Sequence, residues 1–175
     1  MHKFHFKQVS PWEITLCLRF NRASHYKIIR NSFKAISRLG DGVFWYSLMA
    51  LLMVTYGKSA LLPVLHMTLA GLACTLIYKW LKAKTLRPRP YQMNHNILLG
   101  TNPLDQFSFP SGHTLHAVAF TIVVLAYYPA MVWLVVPFTA LVALSRLILG
   151  LHYPTDVLAG ALIGTLVASA SFWMF

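Results

Sequence analysis

Acidic side chains are scarce in this sequence. Its 175 residues include four Asp and Glu against 15 Lys and Arg, and 11% are charged while 57% are hydrophobic. Because a soluble domain carries about 25% charged residues, this composition excludes an ordinary soluble fold and favours an integral membrane protein. In a membrane protein, the formal charge of +11 indicates phospholipid or a phosphorylated substrate as the partner, and not nucleic acid.

Cysteine is almost absent as well. Cys17 and Cys74 lie in unrelated segments without the spacing of metal ligands, so neither a disulfide framework nor a metal site is predicted. Residues 1–10 are polar and basic, and no short apolar run with a small-residue cleavage site follows them. We therefore expect no cleavable signal peptide.

Five apolar stretches are predicted to cross the membrane as helices, because a crossing helix needs about 20 residues and must satisfy its own backbone hydrogen bonds. The predicted fold class is an all-α integral membrane helical bundle of about five transmembrane helices plus an N-terminal amphipathic helix. The stretches are 42–56, 60–78, 111–128, 130–149 and 155–175.

The N-terminal segment, residues 1–39, has a different character from the membrane-embedded region 40–175. Between residues 11 and 38 large apolar side chains alternate with six Arg and Lys, too many charges for a transmembrane helix. We interpret this part as an interfacial helix or helix pair. A solvated tail is the alternative, although tails rarely carry so many large apolar residues.

Three short stretches contain most of the polar chemistry: 82–90, 110–113 and 145–156. In an up-and-down bundle, the end of the second predicted span, the start of the third, the end of the fourth and the start of the fifth lie on the same side of the membrane. The three stretches are therefore predicted to converge on one site.

The residue types in these stretches are suited to binding a phosphoryl group. Lys82, Arg89 and Arg146 supply three cations, and guanidinium groups match phosphate oxygens in a bidentate geometry. Ser111 and Gly112 precede a predicted helix, where free backbone amides and the helix dipole favour an anion.

Two histidines and an aspartate add reactivity to this predicted anion site. His152 lies four residues before Asp156, so a turn can bring the carboxylate to one imidazole nitrogen and leave the other as a nucleophile. His113 is placed to act as a general acid. His113 and His116, three residues apart, are also half of a metal-ligand pattern, but no Cys, Asp or Glu accompanies them.

The combined pattern resembles the type 2 phosphatidic acid phosphatase superfamily. The resemblance covers roughly residues 40–175 and rests on three motifs, Lys82-x6-Arg89-Pro90, Pro110-Ser111-Gly112-His113 and Ser145-Arg146-x5-His152-x3-Asp156.

The resemblance implies a role for each motif residue. His152 is the nucleophile that forms a phosphohistidine, Asp156 activates it, and His113 protonates the leaving group. The residues that hold the phosphoryl oxygens are Lys82, Arg89, Ser111, Gly112 and Arg146. No metal and no other cofactor is implied.

The resemblance further implies a phosphatase that acts on a lipid phosphate or diphosphate. Candidate substrates are phosphatidylglycerophosphate, phosphatidic acid, undecaprenyl diphosphate and lipid A phosphate. A lipid phosphotransferase using the same site is one alternative. A non-catalytic anion binder or transporter is another, but a transporter should carry its polar groups near the bilayer midplane.

Several features leave more than one interpretation open. Arg87 and Tyr91 lie near the motifs and are candidates for head-group contacts. Gly160-x3-Gly164 favours close helix packing, within the bundle or in a dimer, so monomer and homodimer both remain open.

The side of the membrane that carries the site is also open. Family members usually face outward, in bacteria toward the periplasm. Of the 15 Lys and Arg only Lys58 is expected on the opposite face, so the positive-inside rule favours the cytoplasm. Whichever side carries the site, we expect a multi-pass protein of a bacterial plasma membrane.

Overall fold

The computed structural model describes residues 10–175, which contain helices and no strand. This confirms the all-α prediction. The helices are α1 (Pro11–Asn21), α2 (Lys27–Arg38), α3 (Phe44–Tyr56), α4 (Leu61–Thr85), α5 (Pro90–Met93), α6 (Gly112–Tyr127), α7 (Val132–Ile148) and α8 (Pro154–Ser171). Short 3₁₀ or π turns join α1 to α2, α2 to α3 and α3 to α4, and one precedes α7.

Several of these helices are long and apolar enough to cross a membrane. By length and hydropathy they lie in Lys27–Met93, Pro129–Ile148 and Pro154–Ser171, while α6 is apolar but has only 16 residues. The first of these stretches contains both the first and the second predicted span. The multi-pass prediction is therefore confirmed, and the count of five crossings stays a prediction.

Helix α4 illustrates how the bundle divides each helix between lipid and core. One side is an exposed stripe of leucines at helical spacing, and the other is buried. The helix also extends seven residues past the predicted end at Tyr78, so Lys82 lies in its last turn. The exposed stripe consists of Leu61, Leu65, Leu69, Leu72 and Leu76, and the buried side includes Met67, Ala70 and Cys74.

Helix α6 lies at the centre and packs against α4, α7 and α8. At the start of α6 the Ser111 amide donates to the carbonyl of Asp156 at 3.0 Å. At the opposite end of the bundle, His66 bonds Tyr127 at 3.0 Å and Ser171 at 2.7 Å. Since α4 begins where α6 and α8 end, the helices run up and down as predicted.

Two glycines of α8 permit its close approach to α6. A Cβ added at Gly160 would stand 2.6 Å from the backbone oxygen of Ser111, and one at Gly164 would clash with the backbone oxygen of Leu115. Real Cβ atoms do not approach so closely. The interpretation of these glycines as packing residues within the bundle is therefore confirmed.

The described part of the N-terminal segment, residues 10–39, contains the two helices α1 and α2, which are packed onto the bundle. Near its end α2 lies against α7, where Ser37 bonds Arg146. Farther along, the rings of Phe44 and Phe138 stack with centroids 3.8 Å apart. The chain from α2 into α3 thus runs antiparallel to α7. This continuity was not predicted, because the six Arg and Lys between residues 11 and 38 separated that part of the sequence from the first predicted span.

Candidate active site

A cavity of about 570 Å³ opens between α3, α4 and α6, at the end of the bundle where the three polar stretches meet. One end of this cavity is strongly polar, and its remaining walls are largely apolar. The polar end contains Lys82, Arg89, Asp105, His113, Arg146 and His152, and the other walls include Trp45, Tyr46, Leu72, Thr75, Tyr78 and Phe120. The arrangement suits an amphiphile with an anionic head.

Lys82 and Arg89 share the carboxylate of Asp105, a residue for which no role was predicted. The ammonium of Lys82 lies 2.7 Å from Asp105 Oδ1, and Arg89 Nη2 lies 2.8 Å from the same oxygen. Burial alone would raise the pKa of Asp105, but the charges and hydrogen bonds of these two cations outweigh burial and lower it. Both cations thus converge on one anionic oxygen, as they would on a phosphoryl group.

Arg146 is the third predicted cation, and it is almost wholly buried. Its Nη1 donates to Ser37 Oγ, and its Nε has no hydrogen-bond partner among residues 10–175. The carbonyl of Arg146 also accepts the amide of His152 at 3.2 Å. The turn after α7 therefore ties the backbone of His152 to that of Arg146.

The two nitrogens of His152 have different surroundings. Nε2 lies 3.3 Å from Arg89 Nη1, and Nδ1 lies 3.6 Å from Asp156 Oδ2. A guanidinium only donates, so Nε2 accepts and the neutral ring carries its hydrogen on Nδ1, toward the carboxylate. Burial lowers the pKa of His152 well below its usual value, and Arg89, Arg146, Lys82 and His113 lower it further. Nε2 is thus the nitrogen with nucleophilic character.

Besides facing His152, the carboxylate of Asp156 accepts three hydrogen bonds. Ser108 donates to Oδ2, the amide of Tyr153 donates to Oδ2 at 2.9 Å, and Arg87 Nη1 donates to Oδ1 at 2.6 Å. Because Asp156 is the third residue of α8, the bond to Tyr153 is a helix cap. The carboxylate therefore faces His152 from a fixed position.

Behind Asp156, Arg87 is paired with a second carboxylate from α1. Arg87 Nη2 lies 3.0 and 2.8 Å from the two carboxylate oxygens of Glu13, which is buried. Burial alone would lower the pKa of Arg87, but Asp156 and Glu13 outweigh it and raise that pKa. Neither Arg87 nor Tyr91 lines the cavity, so their geometry gives no support to head-group contacts.

His113, on the first turn of α6, lines the same cavity as His152. Its Nε2 is paired with Asp41 Oδ1, which lies in the π turn between α2 and α3. His116 instead bonds Gly112 O at 2.8 Å and Thr75 at 3.0 Å, which is a packing role. Among residues 10–175 no three His, Cys, Asp or Glu are grouped as metal ligands.

Ser111 and Gly112 begin α6 but differ in their exposure to the cavity. Gly112 lines it, and an added Cβ there would meet only the ring of Tyr78 at 3.5 Å. Ser111 is buried, and its hydroxyl pairs with Thr114 at 2.9 Å. An anion at this helix start would therefore meet Gly112 and the free amides of the first turn before the Ser111 hydroxyl.

The structure brings Lys82, Arg89, Gly112, His113, Arg146 and His152 to one cavity, with Ser111 and Asp156 directly behind its wall. Sequence reasoning missed Glu13, Asp41 and Asp105. Their scarcity was a usable signal, since the chain has four acidic residues and each one contacts a cation or histidine of this site.

The fold and the site define a class: a multi-pass membrane helical bundle with a buried, cationic, histidine-containing site at one end. The family model described as the PAP2 superfamily matches residues 60–175. The chain belongs to this superfamily. Helices α1 to α3 lie before the matched region.

Curated relatives include two undecaprenyl-diphosphatases. The protein from Sulfolobus acidocaldarius is 31% identical over 139 residues, which are 78% of this chain and 66% of that protein. BcrC from Bacillus subtilis is 33% identical over 112 residues, 64% of this chain and 57% of that protein. A bacitracin transport permease protein BcrC from Bacillus licheniformis is 44% identical over 68 residues, 38% of this chain and 32% of that protein. The chain spans from about a third to two thirds of these relatives.

Solved structures agree over nearly the whole chain. The crystal structure of LpxE from Aquifex aeolicus has a TM-score of 0.80 and 26% identity and covers 97% of this chain and 99% of that one. A transmembrane PAP2-type phosphatidylglycerolphosphate phosphatase from Bacillus subtilis has a TM-score of 0.66 and 20% identity, with 94% and 87% covered. The latter likeness concerns the fold.

Proposed function

We propose that this protein is a metal-independent phosphatase that removes the terminal phosphate of a lipid phosphate or diphosphate through a phosphohistidine on His152. The contact that carries the proposal is that of Arg89 Nη1 with His152 Nε2 at 3.3 Å. It places a phosphate-binding guanidinium and a neutral nucleophile at one point of a cavity with apolar walls.

In the first step, Nε2 of His152 attacks phosphorus, the P–N bond forms and the bond to the leaving oxygen breaks. His113 gives its proton to that oxygen. In the second step, water attacks the phosphohistidine, His113 takes the proton from water, and phosphate leaves with His152 restored. Asp156 stabilises the positive ring of His152 in both steps, since its carboxylate already faces Nδ1 at 3.6 Å.

The cations stabilise the charge that spreads over the three equatorial oxygens. Lys82 and Arg89 bind the phosphoryl group in place of Asp105, and Arg146 is the third cation that binds it. Gly112 lets the first turn of α6 contribute backbone amides, and Ser111 supports that turn through its bond to Thr114. These are the roles that family resemblance assigns, and the positions of the side chains support them.

The lipid portion of the substrate is accommodated by the apolar walls between α3 and α4. Relatives named as undecaprenyl-diphosphatases make undecaprenyl diphosphate the first candidate. The family resemblance adds phosphatidylglycerophosphate. Phosphatidic acid and lipid A phosphate complete the panel. Relatives from Bacillus and a neighbour from Aquifex support a bacterial plasma membrane as the location.

The test is phosphate release by purified protein from this panel of lipids in neutral detergent. We expect His152→Ala to reduce the rate by roughly 10³-fold or more, as for other catalytic nucleophiles. His95→Ala, which changes an exposed histidine, is the matched control and should keep full activity. Full activity of His152→Ala would contradict the mechanism.

Rapid acid-free quenching with labelled substrate should trap a phosphorylated protein whose label lies on residue 152. Adding an acceptor lipid to the same reaction tests the transferase outcome. Labelled phosphate should appear in solution and not on the acceptor.

A further inference from the structure

A second cavity, of about 330 Å³, adjoins the first one and is the starting point of this inference. We call it the α2 chamber. It shares Asp41, Leu104, His113 and Arg146 with the main cavity, so these residues form the partition between the two. The residues that line only the chamber are Lys34, Ser37, Arg38, Leu99, Gly100, Thr101 and Asn102.

The lining of the α2 chamber has the chemistry of an anion site. Lys34 and Arg38 come from the last turns of α2 and Arg146 from the partition, against one carboxylate, that of Asp41. Asp41 is itself paired with His113. Ser37, Thr101 and Asn102 add neutral hydrogen-bonding groups. Arg146 is 2% exposed, and its Nε has no hydrogen-bond partner within residues 10–175.

The position of the chamber relates it to the leaving group. In an in-line displacement the leaving oxygen stands opposite the nucleophile, His152. His113 is the acid for that oxygen in the proposed function, and it forms part of the partition. The leaving oxygen therefore lies at the partition, from which the lipid can follow the apolar walls of the main cavity while a further polar group of the leaving group enters the α2 chamber. A neutral alcohol would not use the two further cations, Lys34 and Arg38, whereas a second phosphate would.

We propose that the α2 chamber binds a second phosphate of the substrate, on the leaving-group side of the scissile bond. This inference rests on the proposed function and narrows its substrate class to lipids with two phosphates. The second phosphate is either the inner phosphate of a prenyl diphosphate or a phosphodiester separated from the terminal phosphate by glycerol. Lys34 and Arg38 are binding residues that precede the region matched by the family model.

The test compares lipid substrates that carry a second phosphate with related lipids that lack it, using the full chain in neutral detergent without anionic lipid. One pair is farnesyl diphosphate and farnesyl monophosphate. The other is phosphatidylglycerophosphate and phosphatidic acid. For the double variant Lys34→Gln/Arg38→Gln we expect KM to rise about tenfold or more for the two-phosphate member of at least one pair, as for lost charge-assisted hydrogen bonds. The one-phosphate partner should change by less than about twofold, which is within ordinary surface effects.

Two further variants serve as controls. Lys27→Gln/Arg30→Gln removes the same charge from the same helix outside the chamber, and both pairs should keep their KM values. Lys34→Arg/Arg38→Lys keeps both cations and should keep the preference for two phosphates. The pair that responds identifies which spacing between phosphates the chamber accepts.

In Lys34→Gln/Arg38→Gln, an equal rise in KM for both members of each pair, or an unchanged KM for every substrate, would overturn the proposal that the chamber binds a phosphate. A rise in KM of the same size in the control Lys27→Gln/Arg30→Gln would also overturn it, because the effect would then come from the charge of α2 as a whole. The proposed phosphatase function fails separately, through activity that persists in His152→Ala.

Discussion

At the scale of single residues, the state of His152 determines what the site can do. A nucleophilic imidazole must be neutral, and three cations line the same cavity, Lys82, Arg89 and Arg146. Their charges act together with burial to disfavour protonation. The same groups that are proposed to bind phosphate therefore keep the proposed nucleophile free of a proton.

A prediction about pH follows from this environment. Because the folded-state pKa of His152 lies well below the ordinary 6.5, the ring should stay neutral at pH 6. At pH 6 the His152 ring binds a proton in the unfolded chain but not in the folded protein. His152 therefore lowers the free energy of unfolding as pH falls below about 6.5, and it has no such effect at higher pH.

Nitrogen NMR of ring-labelled protein should show the His152 signals in the neutral form at pH 6, identified by their loss in His152→Gln. A His152 ring that titrates near 6.5 would contradict this account.

Glu13 is a positioning residue whose contact with the site runs through Arg87 and Asp156. We expect Glu13→Gln to reduce kcat about tenfold at nearly unchanged KM, since a buried charge pair is broken while the phosphate-binding side chains remain. Glu13→Asp should recover part of kcat. Steady-state kinetics on one lipid phosphate measures both.

The matched control is Thr15→Val on the exposed side of the same helix, which should leave kcat unchanged. An increase in KM with unchanged kcat in Glu13→Gln would indicate that α1 acts on lipid binding and not on Asp156. Thermal unfolding of each variant shows whether a lower kcat comes from a displaced Asp156 in a folded protein or from loss of the fold.

At the scale of elements, the contact between α6 and α8 should be the least tolerant of added volume. Gly160→Ala places a Cβ 2.6 Å from the Ser111 backbone, so the start of α6 must shift. We expect a loss of about 1–3 kcal/mol in the free energy of unfolding, typical of overpacking, together with reduced activity.

Denaturation in detergent and phosphate release measure the two effects of Gly160→Ala. Ser169→Thr adds one methyl group to an exposed position of the same helix and should have little effect on either. Equal stability of Gly160→Ala and the parent protein would show that α6 and α8 can separate without cost.

At the scale of the whole molecule, the antiparallel arrangement predicts which loops share a side of the membrane. Lys58 follows α3 at one end, and Asn96 lies in the connection between α5 and α6 at the other. In intact cells, a membrane-impermeant maleimide should therefore label only one of Lys58→Cys and Asn96→Cys.

The native cysteines should not disturb that labelling experiment. Cys17 and Cys74 are both buried, and burial raises the pKa of the Cys17 thiol to about 12. The parent protein is thus its own background control. Labelling of both introduced cysteines, or of neither while detergent exposes both, would contradict the arrangement. The labelled residue would also settle which side carries the site.

Much of the molecule could be predicted from the sequence because most polar residues of the site lie in three short stretches between long apolar ones. Apolar length identified the helices, and alternation of direction placed Lys82, His113, Arg146 and His152 together. The contacts of Glu13 and Asp41 were not predictable in this way, since they depend on how the N-terminal helices fold back over the bundle. Periodicity gives the faces of a helix but not the partner that covers it.

The close approach of α6 and α8 also has a consequence for how a lipid reaches the site. The two backbones touch at Gly160 and Gly164, so His113 at the start of α6 and Asp156 at the start of α8 belong to one rigid clamp. We expect such close packing to resist widening. A lipid is therefore expected to enter on the other flank, where the side chains of Tyr46 and Leu72 border the cavity between α3 and α4. On this expectation, substrate entry and the reaction involve opposite sides of the same bundle.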